Sequence, residues 1–241
     1  MRYMGGKYRQ SRGIVECIRP YAEDEFTYVE PFCGGMWSAA RVCRDLHPGR
    51  VILNDVNRPL MLLWGRCLED GVDWLPTDMG EIEANYQYYK HDAPDDNPLK
   101  AWYGIACSFG GKWFGGVARS KGETDFKPQA RSTARKADTL RPCHPELSCG
   151  SYKEMSIPDG SVVYCDPPVP GQDKGALLRE LRLRRVLAVG PRPVHPLHGV
   201  HVVLRVPRGL PRGVQVGRHS GQAQSRARVR WHLRADGGVR C

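Results

Sequence analysis

Hydrophobic and polar positions follow two different periods along the first 170 residues. Residues 26–30 and 51–55 are short runs of β-branched and apolar side chains, each closing on an acid, and read as buried strands. Residues 162–164, Val-Val-Tyr, are a third such run. Between them the pattern changes to the spacing of a helix face. Helices are predicted over 11–19, where Ile14, Val15 and Ile18 share one side, and over 37–46, 58–69 and 79–90. Residues 92–98 form a polar, proline-bearing loop. Residues 120–148 read as irregular, with room for a helix at 133–140.

Chemistry gathers where the strands end. Tyr164-Cys165 runs into Asp166-Pro167-Pro168, and proline has no N–H and a fixed φ, so the ladder stops there. What remains is a rigid spur with one carboxylate and free carbonyls. A carboxylate beside a carbonyl can accept both hydrogens of an amino group, which draws a conjugated lone pair toward reactivity. The plain alternative is a capped strand end with a surface acid. The strand at 26–30 runs into Pro31-Phe32-Cys33-Gly34-Gly35 and then a helix, the order of the first βα turn of a nucleotide-binding sheet. The G-x-G-x-x-G pattern is absent, which disfavours a nicotinamide or flavin site. Asp55 lies 21 residues after Gly34, where such folds hold a ribose diol; it could equally cap the helix over 58–69.

Two glycine-rich stretches add to this. At the start, Gly5-Gly6 lies between Tyr3, able to stack, and Lys7, able to meet an anion. From Phe109 to Gly116, eight residues hold four glycines, three aromatics and a lysine, and Arg119 and Lys121 follow. Glycine density excludes a helix over 102–116, and aromatics on a basic loop are what unstacked bases need. Lys112, Trp113, Arg119 and Lys121 are the candidate nucleic-acid contacts, with Arg131, Arg135, Lys136 and Arg141 available for phosphates. The alternative is an ordinary hairpin with its aromatics packed underneath.

Charge changes the picture less than its total suggests. The net charge is +10 over 241 residues. Residues 170–241 hold 14 Arg and 1 Lys against 3 acids, so residues 1–169 carry a net −2. The basicity belongs to the tail and is no argument that the folded part binds nucleic acid. Nine cysteines, with no C-x-x-C pair, fit a reducing cytoplasm rather than a zinc site, and Cys143-His144 with Cys149 lacks ligand spacing. No stretch has the length and apolarity of a signal peptide or a membrane span.

Taken in order, Tyr3…Gly5-Gly6-Lys7, Glu30-Pro31-Phe32-Cys33-Gly34-Gly35, Asn54-Asp55-Val56-Asn57 and Tyr164-Cys165-Asp166-Pro167-Pro168 resemble the D12 class of DNA adenine-N6 methyltransferases. The likeness runs from residue 2 to residue 168. It implies an α/β fold: a Rossmann-like sheet that binds S-adenosyl-L-methionine, with an inserted helical and loop module for target recognition. The implied division is 1–60 with 150–169 for cofactor and catalysis, and 61–149 for the target. Tyr3 and Lys7 would then line the cofactor and target pocket. Glu30, Phe32 and Gly34 would surround the methionine part, and Asp55 would hold the ribose hydroxyls. Asp166 and the Pro167 carbonyl would bind the adenine amino group, with Pro168 completing the catalytic motif. Residues 104–121 would contact double-stranded DNA. The implied protein is a cytoplasmic monomer of a bacterial or phage-infected cell, of the restriction-modification kind, without a metal.

Two departures stand out. The second glycine of the family's Phe-x-Gly-x-Gly comes one residue early, at Gly35, and the aromatic that follows Asp-Pro-Pro in the family is Val169 here. At that residue the composition also breaks: 170–241 contain no Ile, Phe, Tyr, Met, Asn or Thr. The missing types have A/T-rich codons, as when G/C-rich DNA is read out of frame. Dropping the first base of the Val169 codon permits Tyr-Gln-Gly-Arg-Thr-Lys and restores Asp-Pro-Pro-Tyr. Residues 170–241 are therefore expected to supply few strands, leaving the C-terminal part of the sheet missing and the chain as written with little or no activity; the plain alternative is a disordered tail. The competing reading is a non-catalytic binder whose arginine-rich tail grips nucleic acid. Methylation of a protein glutamine would fit Asn-Pro-Pro-Tyr better than Asp166.

Overall fold

A computed structural model describes residues 1–119 and 125–166, together with the backbone of 202–205, 232–233 and 239–240. Pro167, Pro168, Val169 and Lys121 lie outside the described residues, as does most of the tail. The chain begins with α1 (Ser11–Ile18), β1 (Thr27–Glu30), α2 (Trp37–Leu46), β2 (Arg50–Asp55), α3 (Arg58–Asp70), α4 (Met79–His91) and α5 (Pro98–Ala101). It continues with α6 (Lys127–Leu140), β3 (Glu146–Cys149), β4 (Val162–Cys165) and β5 (Val202–Arg205). A separate two-residue pair joins β6 (His232–Leu233) to β7 (Val239–Arg240).

The sheet has the order β3-β2-β1-β4-β5. Its first four strands are parallel and β5 pairs antiparallel with β4. The expected mixed α/β fold is thus present, with one strand drawn from the tail. Strand alternation divides the core. Tyr28, Val51, Leu53, Val162 and Tyr164 join the large cluster under the helices, while Val29, Ile52, Val163 and Cys165 face a smaller one closed by Phe32, Tyr152, Met155 and Ile157. Each such buried aliphatic side chain contributes about 1.5–3 kcal/mol.

Three helix starts carry their own signal. The side chains of Asn57, Asp78 and Asn97 accept from Leu60 N, Glu81 N and Leu99 N and so cap α3, α4 and α5. Asp55 is therefore not the cap of α3.

Two sequence expectations are corrected. Residues 120–148 are not irregular throughout, since they contain α6 and β3. Helix α6 opens on Pro128 and presents Ala130, Thr133, Ala137 and Leu140 to the core, a stripe whose small and polar members hide its period. Strand β3 has one apolar residue in four and is held through polar partners. Arg50 pairs with Glu146 at 2.5 Å, and Ser148 Oγ donates to Asn54 Oδ1 at 2.9 Å. The glycine-rich stretch is also partly helical. Residues Trp102–Ala106 form one turn of π-helix, and Trp102, Tyr103, Ile105 and Ala106 are buried.

Candidate functional site at the carboxyl ends of the strands

Parallel strands bring their carboxyl ends to one edge, and three neighbours each deliver an acid there: Glu30 from β1, Asp55 from β2 and Asp166 just after β4. From β1 the chain moves outward to β2 and β3 and then returns to the other side of β1 as β4. The strand order therefore reverses between β1 and β4, and a crevice opens at such a switch point.

Glu30 is 2% exposed and accepts from Tyr28 OH at 3.0 Å. Burial pushes its pKa up to about 8, with Asp166 adding to the rise, against hydrogen bonds from Tyr28, Ser38 and the Ala39 N–H. Near neutral pH it is largely protonated, a buried acid poised beside an ionisable neighbour.

Asp55 orders the glycine turn. Its two oxygens accept from Gly34 N at 2.9 Å and Asn57 N at 3.0 Å, and burial raises its pKa despite them. Gly34 has φ +44° and Met36 φ +54°, so the chain leaves β1 through two left-handed residues. Both glycine carbonyls of the turn are held, as is the Cys33 N–H. Trp64 Nε1 donates to the Gly34 carbonyl at 3.0 Å, Cys33 N donates to Asn54 O at 2.9 Å, and Lys136 Nζ donates to the Gly35 carbonyl. A Cβ at Gly34 or Gly35 would lie 2.8 or 2.9 Å from Tyr3 side-chain atoms. It is the Tyr3 ring, then, that these glycines admit to the backbone.

Tyr3 is itself part of the site. Burial, then Asp55, Cys33 and Asp166, raise its phenol pKa. Lys7 Nζ sits 2.7 Å from Asp166 Oδ2 and donates to the Gly5 carbonyl at 2.8 Å. The structure thus brings Tyr3, Lys7, Glu30, Gly34, Asp55 and Asp166 together at one edge. Phe32 lies apart from Tyr3, tilted against Tyr152 at 5.2 Å in the smaller cluster.

The aromatic, glycine-rich loop meets this edge through the N-terminal segment that carries Tyr3. An antiparallel bridge joins Ser108 to Val117, so the stretch is a hairpin. Phe114 packs inward on Gly104 and Tyr86, whereas Phe109 and Trp113 are 69% and 42% exposed. The two sequence readings, buried aromatics and presented aromatics, apply to different rings of one loop. The loop is fastened to the N-terminal segment. Met4 N donates to Gly111 O at 3.1 Å, and a Cβ at Gly111 would sit 2.7 Å from Tyr3 N. Lys112 is exposed, and Arg119 is exposed in an ion pair with Glu83 at 2.8 Å.

Lys136 is not available for phosphate. It is 3% exposed, and its ammonium lies 4.1 Å from the Trp37 ring centroid and 4.8 Å from that of Trp64. Burial lowers its pKa to about 7. The Met1 α-amino group shares this pocket, driven down to about 3 by burial and by Lys136 and Arg135. Arg141 is likewise engaged, with the Leu68 carbonyl at 2.8 Å and with Asp138. Arg131 and Arg135 remain exposed.

Sequence reasoning gave Lys136 a different role, phosphate contact, passed over Trp64, and did not single out the exposed side chain of Val56 within its motif. The first two look like a charged and a core residue of ordinary helices, and their spacing to the glycine turn exists only in three dimensions. Val56 is 76% exposed beside Asp55, a signal visible as the apolar residue after a strand-ending acid.

Among the described residues no group of three or more His, Cys, Asp and Glu is arranged to hold a metal ion. No helix among them is long and apolar enough to cross a membrane. Residues 3–101 match the family model described as D12 class N6 adenine-specific DNA methyltransferase, so the resemblance drawn from the motifs holds across that stretch. The matched stretch includes the glycine turn and Asp55, and ends before the hairpin, β4 and Asp166. No curated protein matches the chain.

Proposed function

We propose that this chain is built to move a methyl group from S-adenosyl-L-methionine to N6 of adenine in double-stranded DNA, on a Rossmann-like sheet. One observation carries the reading: three acids end three adjacent parallel strands at a switch point, and the N-terminal segment beside them seats a loop that presents two aromatic rings. The residues suit the cofactor. It is cationic at sulfur and at its amino group, and the edge it would meet is acidic. Asp55 keeps lone pairs beyond those used by Gly34 and Asn57, enough for two ribose hydroxyls. Val56 offers an apolar face for an adenine ring. S-adenosyl-L-methionine supplies an activated methyl group when bound.

The rest falls to the protein. Adenine has to leave the duplex for its amino group to be reached, and Phe109 and Trp113 are placed to support the disturbed stack. Asp166 accepts a hydrogen bond from the amino group and takes the proton released as N6 is methylated. Lys7 holds that carboxylate in place and yields part of it when the base arrives. Glu30, protonated behind it, keeps a second full negative charge out of the pocket. Tyr3 and Lys7 bind with the N-terminal segment, Phe32 supports the turn, and Pro167 and Pro168 stiffen the spur. Lys112, Trp113, Arg119 and Lys121 meet the DNA. The DNA-contacting part comes from 61–149, whose last strand, β3, joins the sheet of the cofactor part. The setting is cytoplasmic and the working unit a monomer.

Isothermal titration of the folded protein with S-adenosyl-L-methionine tests the cofactor half. Binding is expected, and Asp55→Ala should weaken it about tenfold or more, as for loss of a charged hydrogen-bond acceptor. A folded sample that binds none, with Asp55→Ala indistinguishable from it, overturns the reading.

A further inference from the structure

Lys136 is buried without a carboxylate among the described residues. An ammonium taken out of water is costly unless something specific holds it. The turn holds it, with the Met1 α-amino group as a further hydrogen-bond partner: the Gly35 carbonyl accepts from it, and the faces of Trp37 and Trp64 lie against it at 4.1 and 4.8 Å. Trp64 in turn donates to the carbonyl one residue earlier, Gly34. Consecutive carbonyls of the β1–α2 turn are thus gripped from two helices, α3 and α6, and the N–H of Gly34 from β2 through Asp55. Helix α6 begins at Lys127, ten residues after Val117 of the aromatic hairpin.

We infer that Lys136 is a positioning residue for cofactor binding: by holding the Gly35 carbonyl between Trp37 and Trp64, it fixes the glycine turn in the shape that presents Asp55 and Tyr3. The inference rests on the proposed reading of this edge as the S-adenosyl-L-methionine site. A long donor side chain is needed because a carbonyl at this left-handed turn has no helix partner, and one from another helix can reach it.

Lys136→Met tests this, since it keeps the packed stem and removes the donor. Its melting temperature should stay near that of the wild type, because an apolar side chain of similar length replaces a buried charge. Hydrogen–deuterium exchange on the ligand-free protein should show residues 34–36 exchanging about tenfold faster in the variant, with residues 51–54 of β2 unchanged. The dissociation constant for S-adenosyl-L-methionine should rise about tenfold. Unchanged exchange at 34–36 overturns the inference. Should the variant fail to fold, the wild type alone decides: its Gly34 and Met36 amides, which donate to Asp55 and to the Cys33 carbonyl, must be protected as strongly as β2, and rapid exchange there refutes a fixed turn. A wild type that binds no S-adenosyl-L-methionine removes the reading of the site, and the cofactor role of Lys136 with it. A wild type that binds, beside a folded Lys136→Met that binds equally well, removes the inference alone.

Discussion

Lys7 Nζ and Asp166 Oδ2 are 2.7 Å apart, joining the first motif of the chain to the last across nearly 160 residues of sequence. Both side chains are mostly buried, at 13% and 19% exposure, so the pair is screened less than a surface bridge. A double-mutant cycle with Lys7→Met and Asp166→Asn should give a coupling energy of about 1–2 kcal/mol in urea melts, changing little with salt. Additive single-variant effects would mean that the two are neighbours without being partners.

Gly35→Ala places a methyl group 2.9 Å from the Tyr3 side chain. Overpacking of this kind costs about 1–3 kcal/mol. Adding Tyr3→Gly should recover most of that loss relative to the single variants, because the atom 2.9 Å away is the Tyr3 Cβ, which alanine would keep and glycine lacks. If the double variant is no more stable than the sum of the two singles predicts, the crowding lies elsewhere.

Glu30 gives a pH signature with a defined sign. Its carboxyl titrates near 8 folded against an ordinary 4.5, so the folded state holds more protons between those values. Stability from Glu30 is complete below about pH 4.5 and is lost as pH rises through 8. Glu30→Gln stays neutral throughout. Its stability relative to the wild type should therefore climb between pH 4.5 and 8, by an amount on the order of a few kcal/mol. Taking the difference removes the buried Lys136 and Met1 amines, whose lowered pKa values act in the opposite sense. A difference that is flat with pH would show Glu30 ionised in the fold.

The tail allows a test of nucleic-acid affinity and of origin. Residues 170–241 carry a net +12, so duplex binding by the full chain should fall steeply with salt, and removing them should flatten the slope. Equal slopes would place the phosphate contacts in residues 1–169. Sequencing the coding DNA around codon 169 should reveal a second frame that restores an aromatic after Pro168 and a strand-rich continuation. DNA with no such frame, or vigorous adenine methylation by the 241-residue chain, rejects the frame-shift explanation.

Strands were legible where burial makes them apolar on both faces. Residues 51–53 and 162–164 have water on neither side, and their composition says so. Strand β3 was not, because an edge strand held by Arg50 on Glu146 and by Asn54 on Ser148 and the Gly150 carbonyl needs no apolar pattern. Helix α6 was seen only as a fragment, since alanine and threonine pack as well as leucine when helices approach closely. The acids of the site were visible because each ends a strand. Their supports were not, for nothing in the local sequence of Lys136 or Trp64 announces a carbonyl one hundred or thirty residues away.

The fastening of Gly111 to residues 3 and 4 has a practical consequence for anyone wishing to retarget such a protein. The hairpin is not a detachable cassette. Its backbone rests on the same tyrosine that fills the glycine turn, so a loop transplanted from a protein of different sequence preference would arrive without its seat. The smallest graft that preserves the joint has to carry residues 2–4 along with 104–119, two pieces of chain a hundred residues apart that behave as one part.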